Sequence, residues 1–156
     1  MSVLPPSNAT VIGIDVQDIV HWCRERIGAS VIALDTPCRW STTGRMLRGA
    51  TLVQALETSH PLLTTLSGTE SHGCFETFPH AITWHLRGGD AQARQKRPQR
   101  LALLLQAGID TTSLTSIDWI DAALCALAAH HLASGRPCQA YGEPASGLIV
   151  VPQPAT

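Results

Sequence analysis

Aromatic side chains are scarce in this chain, with two Phe, one Tyr and four Trp among 156 residues. Its core must therefore be assembled mainly from Ala, Leu, Ile and Val. Charge is also sparse: charged residues make up 15% and the formal net charge is -1. That balance excludes a globally basic surface, so any grip on a polyanion has to come from a local patch. No apolar run approaches the roughly 20 residues needed to span a bilayer, and no membrane partner is expected. The opening MSVLPPSNAT lacks the basic and apolar regions of a secretory leader. Five cysteines, scattered and without a CxxC pair, argue against a disulfide framework and for reduced thiols. These absences lead us to expect a cytoplasmic protein. What is present, 44% hydrophobic residues in a length suited to one domain, is a globular composition.

Along the chain, segments of two periodicities alternate. Residues 10–15 read as a short strand, and 18–27 as a helix with Ile19, Trp22, Cys23 and Ile27 on one face. Ser30 to Asp35 is apolar on both faces, the pattern of a central strand in a covered parallel sheet. Met46 to Leu66 reads as helical with a break at His60-Pro61, and 64–73 as a polar loop. Cys74 to Phe78 reads as a strand ended by Pro79, and Ala81 to Leu86 as a short helix. A basic stretch, Arg94, Lys96, Arg97 and Arg100, leads into Leu101 to Leu105. Capping residues at Ser113 to Ser116 and a stop at Gly135 bracket a long helix over Ile117 to Ala133. The tail carries one apolar run, Leu148 to Val151. Strands alternating with helices predict an α/β layered domain, a single one over 1–156, with a flexible arm at 1–9 and a tail at 153–156.

Carboxylates carry the strongest chemical signal. Asp118 and Asp121, three apart, project to nearly the same side of the long helix beside its apolar stripe. Helix-dipole complementarity alone can explain acids in a first turn. Asp35 stands at the carboxyl end of an apolar strand, the edge where open α/β sheets place ligands. It can equally start a turn with Thr36-Pro37. Glu76 lies within an apolar and aromatic strand, so it is paired, bound to a cation, or turned to water on an edge strand. Convergence of these acids would suit Mg²⁺ or Mn²⁺, hard ions that take oxygen ligands. The basic stretch would then contact phosphate, unless it is simply a solvated helix face. His130-His131 falls late in the long helix, where a cation is favoured, and no spacing points to zinc or to a Cys–His nucleophile.

Three blocks are familiar in sequence. Ser30 to Trp40 (SVIALDTPCRW), Cys74 to Ala81 (CFETFPHA) and Ile117 to Leu127 (IDWIDAALCAL) resemble the signature blocks of the domain-of-unknown-function family four-two-nine. Its members are regarded as predicted nucleases of the RNase-H-like superfamily. Gly142-Glu143-Pro144 and Gly147-Leu148-Ile149 are similar to its closing strand, and the last helix resembles that of RuvC-type resolvases. The resemblance implies an RNase-H-like fold with a mixed central sheet flanked by helices. It implies metal-dependent phosphodiester hydrolysis with Asp35, Asp118, Asp121 and Glu76 at the centre, Mg²⁺ or Mn²⁺ as cofactor, and nucleic acid as partner. Lys96, Arg97 and Arg100 match the family's basic segment. Such proteins open with a strand bearing a Gly-Ile-Asp acid and a hairpin, whereas here Gly13-Ile14-Asp15 falls just 20 residues before Asp35. Asp15 is thus either the first metal ligand or a cap of the helix that follows, and the spacing favours the cap. The stretch from Trp40 to Met46 is also short for the family. A chain shortened in these ways could instead be an inactive binding or oligomerisation module, with an exposed sheet edge inviting a homodimer.

Overall fold

The computed structural model describes residues 30–36, 47–67, 72–145 and 147–154, with the side chains of 47–51 left aside. Asp15, the strand expected at 10–15 and the helix expected at 18–27 lie outside the described residues. The described chain runs β1 (Val31–Leu34), α1 (Leu47–Leu56), β2 (Gly73–Glu76), α2 (Pro79–Leu86), a 3-10 turn (Ala93–Gln95), α3 (Lys96–Gln106), α4 (Ile117–Ala133), β3 (Cys138–Glu143) and β4 (Gly147–Pro152). The strand order is β1-β2-β4-β3, with β1, β2 and β4 parallel and β3 antiparallel to β4. The architecture is an α/β layered one with a mixed four-stranded sheet.

The period of two in β1 explains why the sheet carries helices on both faces. Val31 and Ala33 join Phe75 and Val150 under a core built with Ile82, Leu104, Ile120, Leu124 and Ala128 from α2, α3 and α4. Ile32 and Leu34 turn the other way and pack with Cys74, Leu62 and the α1 residues Leu52, Val53 and Leu56. All four β1 residues are buried, as the doubly apolar pattern requires. The parallel register sets Leu34 beside Glu76, so Glu76 shares the α1 face.

Several boundaries differ from the sequence reading. The first described helix ends at Leu56, well before Leu66. Past the turn, Pro61–Leu63 runs extended beside β2, with Leu62 bridging Cys74. Apolar residues after Pro61 thus pack as strand, not as a continued helix. Gly73 is needed at this crossing: its φ is +145°, and a Cβ would stand 2.8 Å from the Pro61 carbonyl oxygen. Pro79 does more than end β2, since it opens α2 at a position that needs no amide donor. The basic stretch divides between the 3-10 turn and α3. The long helix occupies Ile117–Ala133 as expected, with the Ser116 hydroxyl accepting from the Trp119 amide at 3.1 Å. The tail holds two strands, where the sequence pattern shows one apolar run. Beside Glu76, which pairs with Ile149, Thr77 donates its hydroxyl to the Val150 carbonyl at 2.7 Å and joins β2 to β4.

Candidate functional site

The carboxyl ends of β1 and β2 and the first turns of α4 meet at one edge of the sheet. Asp35 is the residue after β1. By the alternation of that strand it follows Val31 and Ala33 toward the face covered by α4. There it comes under the field of Asp121 and Arg100. Although Asp35 reaches solvent at the strand end, its surroundings push its carboxyl up to about 6. Desolvation is the main cause, followed by repulsion from Asp121; Arg100 opposes the rise and Glu76 adds to it.

Asp121 is held from the side. Arg100, on α3, donates from Nη1 to its Oδ1, and the Arg100 side chain is only 7% exposed. The burial follows from periodicity, since Arg100, Leu103 and Leu104 lie at i, i+3 and i+4 on the face that α3 packs against α4. The same spacing in the sequence could have signalled a buried cation. Among the described residues the Arg100 Nε–H has no hydrogen-bond acceptor. Lys96 and Arg97 are exposed, and Arg97 reaches the Leu114 carbonyl at 3.5 Å.

The four acids of the sequence reading separate into three environments. Asp35 and Asp121 interact across the edge. Asp118, one turn nearer the amino end of α4, is exposed. Glu76 is buried on an interior strand, flanked by β1 and β4, so the solvated-edge alternative does not hold for it. Cys125 is a member that the carboxylate pattern missed. It lies one turn beyond Asp121 and is buried. Burial first, then Asp35 and Asp121, push its thiol far up, leaving it a neutral wall of the site and not a nucleophile. At the far end of α4, burial first, then Arg136 and His130, lower His131 to about 4. It is a neutral ring there, not a cation favoured by the helix dipole.

The donor chemistry at this edge suits a hard divalent ion. Asp35 and Asp121 offer carboxylate oxygens, and Mg²⁺ is commonly held by one or two carboxylates with water and phosphate completing its shell. Among the described residues, however, no group of three or more His, Cys, Asp or Glu side chains could hold an ion. A cleft of about 360 Å³ lined by Arg87, Asp90, Gln92 and Gln99 includes none of the four acids. Its polar groups engage one another, as in the 2.9 Å bond from the Gln92 amide to Gln99.

Fold and site together define a layered α/β protein with a pair of acids, Asp35 and Asp121, beside Arg100 at the carboxyl edge of its parallel strands. The chain belongs to the family described as "Protein of unknown function (DUF429)", whose model matches residues 33–146. No curated protein and no solved structure gives a significant match. No described helix is long and apolar enough to cross a membrane.

Proposed function

We propose that this chain is a divalent-metal-dependent nuclease of RNase-H-like type. The observation that carries the reading is Asp35, set at a strand end and pushed up to about 6 by desolvation and by Asp121 beside it. A pair of acids that resist sharing negative charge favours an added cation. Asp35 and Asp121 would hold Mg²⁺ or Mn²⁺, with Asp118 and Glu76 further candidates and Asp15 either a further ligand or a helix cap. The ion would supply charge neutralisation and water activation for phosphodiester hydrolysis. The chain's own work is then to keep the two carboxylates together, with Arg100 on Asp121, and to present the exposed Lys96 and Arg97 to phosphate.

The test pairs binding with activity. Mg²⁺ should raise the thermal midpoint, because a ligand of the native state stabilises it. Asp35→Asn should abolish both that rise and Mn²⁺-dependent cleavage of labelled DNA or RNA. A midpoint indifferent to metal, together with intact substrates, would sink the proposal.

A second reading is favoured by the ion pair between Arg100 and Asp121. A site that already neutralises one of its acids fits an inactive relative that binds or self-assembles. Among the described residues β3 pairs on one side alone, and such an edge can template pairing with a second copy. Sedimentation that finds a monomer at all concentrations, alongside metal-dependent cleavage, would dismiss this reading.

A further inference from the structure

Arg100 is buried where a long cationic side chain has little reason to go unless charge draws it there. Its stem lies in the apolar stripe of α3, and its head contacts Asp121 through Nη1 alone. A guanidinium serving only as a structural brace normally uses its fork, two parallel N–H groups on one carboxylate. Here Nε–H has no acceptor among the described residues, and a buried donor left open is costly. What offsets that cost is an excess of acid: Asp121 bonds this guanidinium and Asp35 lies within its field.

We infer that Arg100 is the resident cation of this site, occupying Asp121 in place of a divalent ion, so that a metal enters in exchange for it and the released guanidinium meets the phosphate of the substrate. The inference rests on the metal-dependent reading above and concerns regulation of that same site. Exchange makes electrostatic sense in both directions. Without metal, Arg100 prevents two carboxylates from standing uncompensated beneath a desolvating wall. With metal on Asp121, the guanidinium loses its partner and needs another anion, and its planar fork suits phosphate oxygens as a lysine would not. Substrate and metal would thereby be taken up together, and the metal alone would bind weakly.

Calorimetric titration of the full chain with Mn²⁺ tests the exchange. Arg100→Gln should bind Mn²⁺ at least about tenfold tighter than the wild type, equivalent to about 1.4 kcal/mol, since the competitor is gone. Adding Asp121→Asn should cancel that gain. The wild type gives an independent readout should Arg100→Gln fail to fold. In protein carrying isotope-labelled arginine, Mg²⁺ should shift the Arg100 Nε–H resonance, assigned by its loss in Arg100→Lys. Inorganic phosphate should shift it further only when Mg²⁺ is present. Equal Mn²⁺ affinity in wild type and Arg100→Gln, or a resonance indifferent to bound Mg²⁺, overturns the exchange and leaves the metal reading standing. A gain that survives Asp121→Asn overturns it too, by placing the ion elsewhere. No Mn²⁺ binding by either protein overturns both.

Discussion

At its amino end α4 carries Asp118 in solvent and Asp121 against Arg100, whereas at its carboxyl end it buries His131 among Ala128, Ala129 and Leu132. The helix dipole favours carboxylates at the first end and a cation at the second. Only the amino end follows that preference. At the carboxyl end burial outweighs the dipole, and His131 is driven toward its neutral form, its Nδ1 without a hydrogen-bond partner among the described residues. The dipole term is worth about 0.3–1 kcal/mol, while desolvation of an unpaired charge costs several. Charge therefore persists at the end where a counter-charge is packed in with it.

The contrast is broken most directly by stripping the amino end of its compensation. Asp121→Ala leaves Arg100 buried without its partner and should cost about 3 kcal/mol in denaturant unfolding. This is the low end for a broken buried pair, because the Asp121 side chain is 21% exposed. A loss below about 1 kcal/mol would mean that the pair behaves as a surface bridge.

Acid should act on the two ends with opposite signs. His131 has a folded value near 4 against 6.5 for the free group, so its contribution is present above 6.5 and lost as pH falls toward 4. The loss should reach about 2 kcal/mol near the acid end of that window. His131→Leu should flatten this part of the urea-denaturation profile. Asp35, raised to about 6 from 3.8, behaves inversely. Its contribution is full below 3.8 and lost as pH rises through 6, so Asp35→Asn should be more stable than wild type at neutral pH and no more stable near pH 4. A neutral-pH destabilisation by Asp35→Asn would show that the carboxylate is instead needed in its charged form. The smallest expected effect is local: Ser116→Ala removes the cap bond to Trp119 and should cost about 1 kcal/mol, read from the thermal midpoint.

Legibility in the sequence followed burial. β1 could be read because four apolar residues in a row, too few for a helix, fit a strand covered on both faces, and α4 because capping residues and a terminal glycine bracket it. β3 was missed for the converse reason. Cys138 to Glu143 is exposed through most of its length and shows no strong apolar alternation, since its place comes from pairing with β4. Residues 61–63 deceived by composition, because Leu62 and Leu63 extend an apolar pattern across a proline that had already ended the helix. At the site, the spacing of Asp118 and Asp121 put both on one side of a helix but could not say that one turn, about 5 Å along the axis, separates solvent from the packed edge. Arg100 blends in sequence with its basic neighbours, although its phase with Leu103 and Leu104 sets it apart from them.

The seam between β2 and β4 has a consequence for how this domain breathes. β3 and β4 pair along six registered positions, whereas β4 joins β2 through the single registered pair Glu76–Ile149, reinforced by the Thr77 hydroxyl. The hairpin is thus stitched more firmly within itself than to β2, and the seam should open at lower free energy than the hairpin's own ladder. In amide hydrogen exchange, the amides linking β3 to β4 should stay protected together, while those across the seam give way at lower free energy. Because the seam adjoins Glu76, each such opening would admit water at the acidic edge first.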